Sequence, residues 1–246
     1  MPLPAGMQDA AVILYIHGFA SSAQSSKATF LATKFAERGV ELHVPDFNEP
    51  DFTTLTVTRM IEQVWRAVDA QPGEPLTLIG SSLGGFVAVN AAMQRPDRVD
   101  RLVLLAPALD FGPSTGSGPS RVSSRDGGNR MRKMGETGIG EWKAAGHLDV
   151  FHYGYGRMMP VHYELYEDAR RYDVWNADLR MPVLVFQGRR DDAVDPQSVE
   201  AWSRRRPNVE LHMLDDDHQL TASLPVVWDV TSRFLGIAPG SRRGPS

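Results

Sequence analysis

The sequence predicts an α/β fold, with a mostly parallel central sheet flanked by helices. Three observations carry that reading. Short apolar runs of strand length recur along the 246 residues, helical stretches separate them, and the stretch Leu76–Val89 passes abruptly from an apolar run through Gly80-Ser81-Ser82-Leu83-Gly84 into a helix of Phe, Val and Ala. Regular alternation of strand and helix asks for parallel pairing with right-handed crossovers. Strands buried on both faces read as continuous apolar runs.

In chain order, the run Val12–Ile16 reads as the first strand, and the stretch near Lys27–Arg38 as the helix after it. Leu42–Val44 is a short second strand, followed by a helix over Thr56–Ala70. Leu76–Ile79 is the third strand; Phe86–Arg95 is its crossover helix and Leu102–Leu105 the fourth strand. Here the alternation stops. The interval from Asp110 to about Trp175 is expected to be a cap inserted between the fourth strand and the next, so the cap spans about residues 110–175 of a single 1–246 domain. It opens with Gly112–Gly140, crowded with Gly and Ser and carrying Arg121, Arg125, Arg130, Arg132 and Lys133, which read as a solvated basic face. Its later half regains Trp142, Phe151, Tyr153, Tyr155, Tyr163 and Tyr166, aromatic enough to pack over the strand ends. The alternation then resumes with strand Val183–Phe186, helix Gln197–Arg205, strand Val209–Leu214 and helix Pro225–Phe234. The tail at 240–246 is expected to be disordered.

Composition narrows the function. A formal net charge of -4 gives no basic bias toward nucleic acid. The early apolar run Ala10–Ile16 is too short for a membrane span and lacks the basic start and cleavage site of a signal peptide, so a cytoplasmic protein is expected. The absence of cysteine removes disulfides, thiolate catalysis and Cys-type zinc sites. Serine is the nucleophile that remains.

The turn at Gly80–Gly84 fits G-x-S-x-G with Ser82 at its centre. A tight strand-to-helix turn there lifts that hydroxyl above the strand ends, and the glycines are needed where a side chain would strike the neighbouring strand and helix. Ser81 falls one residue early and points elsewhere. Gly112–Gly116 satisfies the same pattern around Ser114, but no helical periodicity follows it to hold that serine in place.

A serine hydroxyl needs a base to take its proton and a third group to orient that base. On α/β-hydrolase scaffolds these follow in the order serine, acid, histidine, the acid after a late strand and the histidine after the last one. After Val183–Phe186 comes QGRRDDAVDP, and after Val209–Leu214 comes DDDHQL. Asp191 is therefore the expected acid, with Asp192 as its rival, and His218 the expected base. Asp192 or Asp195 instead suits a helix cap ahead of Pro196. Of the other histidines, His212 and His43 lie within strands; His147, His152 and His162 belong to the cap, and His17 is a packing and hydrogen-bonding residue. The first strand ends in YIHGFASS, which suggests the backbone amides of Phe19 and Leu83 as the oxyanion donors. The acidic run Asp215–His218 superficially suggests a metal, but it lacks a second converging histidine. No metal or cofactor is expected.

On the segments YIHGFASS, VPDF (Val44–Phe47), GSSLGGFVA, LLAPAL (Leu104–Leu109), QGRRDDAV and DDDHQL, the chain resembles the α/β-hydrolase superfamily and, more narrowly, small bacterial YqiA-type esterases. The resemblance covers most of the chain outside the insertion. It implies hydrolysis of short-chain acyl esters through a serine acyl-enzyme carried by Ser82, Asp191 and His218, on a small-molecule ester. A thioesterase or acyltransferase using the same residues, or a slow-turnover sensor, are the alternatives. Where that group often has histidine before the glycine of the acid motif, this chain has Gln187, a departure expected to affect packing more than chemistry.

Overall fold

The computed structural model of the chain describes residues 12–70, 76–112 and 130–237, without the side chains of 130–136. The second G-x-S-x-G match at Ser114, the arginines at 121 and 125, and the tail at 240–246 lie outside the described residues, as do the side chains of Arg130, Arg132 and Lys133.

The central sheet is built from β1 (Val12–Ile16), β2 (Leu42–His43), β3 (Leu76–Ser81), β4 (Val99–Leu105), β7 (Val183–Gly188) and β8 (Val209–Leu214), in the order β2-β1-β3-β4-β7-β8, every neighbouring pair parallel. Between β4 and β7 the antiparallel hairpin β5 (His147–His152) and β6 (Arg157–His162) forms a second, two-stranded sheet. The helices are α1 (Ser26–Ala36), α2 (Val57–Asp69), α3 (Leu83–Gln94), α4 (Arg130–Ala145), α5 (Glu164–Ala169), α6 (Pro196–Arg204) and α7 (Leu224–Phe234).

Side chains alternate across a strand, so the apolar runs feed two cores at once. Val12, Leu14 and Ile16 of β1, Leu102 and Leu104 of β4, and Val183 and Val185 of β7 join one buried cluster with α2, α3 and α6. Ile13 and Tyr15, Val103 and Leu105, and Leu184 and Phe186 enter a second cluster with α1 and α7. Burial on both faces is why these runs carry no polar alternation. Helix starts follow side-chain chemistry: Ser25 caps α1 by accepting from the Ala28 amide, Thr56 caps α2 through Arg59, and Asp195 caps α6 through Gln197 ahead of Pro196.

The interval after β4 is more regular than the sequence expectation, with α4, the β5–β6 hairpin and α5 where no elements were expected. The Gly/Ser-crowded opening gives way to a regular helix from Arg130, ten residues before Gly140, where Met131, Arg132, Lys133, Met134 and Glu136 favour helix against the cost of Gly135, Gly138 and Gly140. Trp142 on α4 is 2% exposed, donates its indole N–H to the Val161 carbonyl at 3.0 Å and packs edge-on against Tyr163. The aromatic run is split in its burial: Trp142 is interior, whereas Phe151, Tyr153 and Tyr155 are exposed at 43%, 68% and 42%. Asp168 of α5 ties this interval to α2 by accepting from the Thr58 amide (2.7 Å) and the Thr58 hydroxyl (2.6 Å).

Candidate active site

The site is assembled at the carboxyl ends of β1, β3, β7 and β8, the position where parallel α/β sheets gather functional loops. Ser82 sits between β3 and α3 with φ +53° and ψ -118°, a left-handed conformation that a non-glycine residue adopts only under constraint. The constraint is visible on both sides. The Ser82 amide donates to the Leu105 carbonyl at 3.0 Å, and the Ser82 carbonyl accepts from Gly85 and Ala108. The flanking glycines permit the close approach: a Cβ on Gly84 would lie 2.1 Å from the Ile16 carbonyl oxygen, and one on Gly80 would lie 2.4 Å from that of Gly84.

Three residues singled out from the sequence meet here. The Ser82 hydroxyl lies 3.1 Å from His218 Nε2, and His218 Nδ1 lies 2.9 Å from Asp191 Oδ2. The second contact makes Nδ1 the protonated nitrogen, donating to the carboxylate, and leaves Nε2 to accept from the serine. Asp191 has a fully buried side chain. Its Oδ1 accepts from the Ala193 and Val194 amides at 2.9 and 2.8 Å, and its Oδ2 also accepts from Gln187 Nε2 at 2.8 Å. Burial by itself raises this carboxyl; the hydrogen bond and charge of His218, with Val194 and Gln187, outweigh it and hold the group below its ordinary value. Asp192 is exposed and lines the cleft beside the site, while Asp191 alone reaches the imidazole. Ser81 ends β3 as a buried residue.

The loop after β1 packs directly on Ser82, since a Cβ on Gly18 would lie 3.1 Å from the Ser82 Cβ. His17 anchors that loop: Nδ1 donates to the Gly18 carbonyl at 3.0 Å, and Nε2 accepts from the Phe47 amide at 2.9 Å beside Asp46. The loop is also clamped by Asn48, which donates to the Ser21 carbonyl at 2.8 Å, and by the Tyr153 amide of the hairpin, which donates to the Ala20 carbonyl at 2.8 Å. Phe19 is half-buried, lines the cleft and packs on Phe52. Leu83 is the first residue of α3, where backbone amides lack intrahelical acceptors and the helix dipole is positive.

The remaining histidines stand apart from the serine. His212 faces Glu210 at 2.6 Å, His43 lies near Glu41, and His147 is exposed. His162 is half-buried on β6. His152 is fully buried, stacked on Tyr155 and edge-on to Phe52, and its burial pushes the imidazole below its ordinary value. Among the described residues no group of three or more His, Asp or Glu converges as a metal site. Asp215 pairs with Arg190, and Asp216 accepts from the Asp217 and Ser223 amides.

Two residues of the site escaped the sequence reading. Gln187, expected to affect packing more than chemistry, donates directly to the carboxylate that holds the imidazole. Lys27 is 5% exposed, and its Nζ donates to the His218 carbonyl at 3.0 Å. Burial pushes this lysine down to about 8 against the opposing pull of Asp191, Asp217 and Asp216. A signal for it did exist: Lys27 shares one helix face with Ala28, Leu31 and Phe35, the buried stripe of α1.

Comparison with known proteins agrees with this architecture. Residues 12–117 match the model of an uncharacterised protein family, UPF0227. The chain is 34% identical over 100 residues to the biotin biosynthesis bifunctional protein BioHC of Teredinibacter turnerae, a match spanning 39% of this chain and only 17% of that protein. Among solved structures it is similar to Est1E from Butyrivibrio proteoclasticus with ferulic acid bound (TM-score 0.71, 18% identity, 92% of this chain and 88% of that one). It is also similar to alpha/beta hydrolase domain-containing protein 10 from mouse (TM-score 0.70, 20% identity, 95% and 92%). With this strand order, the turn at Ser82 and these likenesses, the chain has the α/β-hydrolase fold.

Proposed function

We propose that the protein is a carboxylic ester hydrolase working through a serine acyl-enzyme, with Ser82 as nucleophile, His218 as base and Asp191 as its orienting acid. The observation that carries this is the continuous hydrogen-bonded chain from Asp191 through His218 to Ser82, at 2.9 and 3.1 Å. In the first half-reaction the Ser82 oxygen bonds to the ester carbonyl carbon while its proton passes to His218 Nε2, and the buried Asp191 carboxylate stabilises the resulting imidazolium. The negative charge on the carbonyl oxygen is met by the amides of Phe19 and Leu83, each such donor contributing about 3 kcal/mol in comparable chemistry. The carbon–alkoxy bond then breaks, and His218 returns its proton to the departing alcohol. In the second half-reaction water gives its proton to His218 and its oxygen to the acyl carbon, releasing the acid and restoring Ser82. Every proton is accounted for by His218, and no metal or cofactor enters.

The likeness of fold to Est1E, which holds ferulic acid, supports a site for a carboxylic acyl group. The test is direct: the protein should be labelled stoichiometrically at Ser82 by a fluorophosphonate and should turn over nitrophenyl butyrate many times. Ser82→Ala should lose label and lower kcat/KM by roughly a thousandfold or more. Unchanged turnover in that variant, or one turnover per molecule in the parent, defeats the reading.

A further inference from the structure

The cleft containing Ser82 has a volume of about 850 Å³, and its lining draws on both core clusters and on the loops between them. On one side it is lined by Leu83, Phe111, Trp142 and Val150, all members of the α2/α3/α6 core, with Phe19 and Leu148 packed against that core. The polar part of the lining is Ser21, Ser22, Gln24, Ser25 and Gln219, from the loop leading into α1 and the His218 loop, with Ser22 packed against Gly154 of the hairpin turn. At the foot of this polar wall the fully buried Tyr15 hydroxyl lies beside Ser81 and Ser25 without a closed hydrogen bond of its own.

Charge narrows the guest further. Lys27 is the only Lys or Arg among the described lining residues. Its Nζ is already directed at the His218 carbonyl, within the field of three aspartates. Asp192 on the same rim adds a carboxylate. An anionic leaving group therefore meets no uncommitted cation among the described residues, whereas hydroxyls meet serines and glutamines that both donate and accept.

The chemistry fixes which half of the ester lies where. His218 must hand its proton to the leaving oxygen, so the alcohol departs on the side of the histidine, which is the polar wall. The acyl group is left to the Trp142 side. Resting on the esterase reading above, we propose that the site takes oxoesters joining an apolar acyl group to an uncharged, polyhydroxylated alcohol of the size of glycerol or a monosaccharide, the acyl chain lying against Trp142 and Phe111 and the alcohol over Ser21, Ser22 and Ser25.

The test holds the acyl group constant and varies the leaving group. Hydrolysis of ethyl butyrate, 1-monobutyryl glycerol, 6-O-butyryl glucose and butyryl-CoA is followed with the full chain. The expected result is a kcat/KM at least tenfold higher for the glyceryl or glucosyl ester than for ethyl butyrate, the better of the two identifying the alcohol, with butyryl-CoA below both. In a Ser21→Val/Gln24→Leu variant, that polyol-to-ethyl ratio should fall at least fivefold. The ratio in the parent protein is read without any variant, so a folding defect in the variant leaves the proposal falsifiable. A parent ratio below ten, an unchanged ratio in a folded variant, or butyryl-CoA turned over as fast as the polyol esters overturns it. If nitrophenyl butyrate is cleaved and Ser82 labels while the ratio fails, only this inference falls. If neither occurs, the esterase reading falls with it.

Discussion

Ser82 is held in a left-handed backbone conformation by packing that leaves no room for side chains at Gly80 and Gly84. At Gly84 the added methyl would face two carbonyl oxygens of the β1 end, Ile16 at 2.1 Å and His17 at 2.7 Å, and backbone cannot turn aside as a flexible side chain can. Gly84→Ala should therefore cost about 3 kcal/mol in urea denaturation and reduce Ser82 labelling in whatever folds. Lys27 poses a different case. Its folded value of about 8 lies below the ordinary 10.5, so between those two values the unfolded chain binds the proton more tightly and stability rises with pH. Relative to Lys27→Met, the parent should gain about 3 kcal/mol from pH 7.5 to 10.5, seen in paired denaturation curves. The same variant loosens the loop that carries the imidazole, and kcat should fall roughly tenfold. Equal pH dependence in the two proteins would show that the lysine is not buried as described. At this scale the sequence was legible wherever a residue type is committed to one chemistry within a recognisable turn. Ser82, Asp191 and His218 stand in such turns, whereas Gln187, four residues from Asp191, and Lys27, 191 residues from His218, carry side chains common on any surface.

Among the elements, the strands of the central sheet were the easiest to read, because β1, β3, β7 and β4 from Leu102 onward are buried on both faces and carry mostly apolar residues. The hairpin was not read, although its first strand alternates: His147, Asp149 and Phe151 face out while Leu148, Val150 and His152 turn inward. Its aromatic content drew the reading toward uniform packing, yet the exposed Phe151 and Tyr153 contact each other near the tip. What attaches this interval to the rest is polar as well as apolar. Asp168 accepts from the Thr58 amide in the first turn of α2, satisfying an otherwise orphan donor where the helix dipole favours a negative charge. Asp168→Ala should cost about 2 kcal/mol by chemical denaturation, and Asp168→Asn less, since an amide oxygen can still accept. A loss under half a kcal/mol for the alanine variant would remove Asp168 from that role.

Across the whole molecule, the site draws on loops after four strands and is held together by carboxylates that fold with lowered proton affinity. Asp46 is held below its ordinary value by its contact with His17 and by the Asn48 amide that donates to it, and Asp191 is held low despite burial by His218 and its neighbours. Groups depressed in this way contribute stability that is fully present above the unfolded carboxylate value, about 3.9, and lost as pH falls through the lower folded ones. The melting temperature should stay level from pH 8 to about 6.5, decline below that as the buried His152, held below its ordinary value, resists the proton that the unfolded chain binds, and drop further below pH 4; Asp46→Asn should melt well below the parent at pH 7 and close to it at pH 3. A gap that persists at pH 3 would mean that the charge of Asp46 is not what stabilises the loop. The sequence by itself determined the strand and helix order outside the interval between β4 and β7, the parallel sheet and the three residue types standing at the ends of the right strands, because buried runs, glycine turns and helix caps are properties of neighbouring residues. Only the tertiary structure decided that Asp191 rather than Asp192 reaches the imidazole, that a lysine from α1 supports the His218 loop, and that the cleft has one apolar and one polar wall. Those are distances between segments as many as 191 residues apart, set by how two faces of one sheet are covered, and no local pattern encodes them.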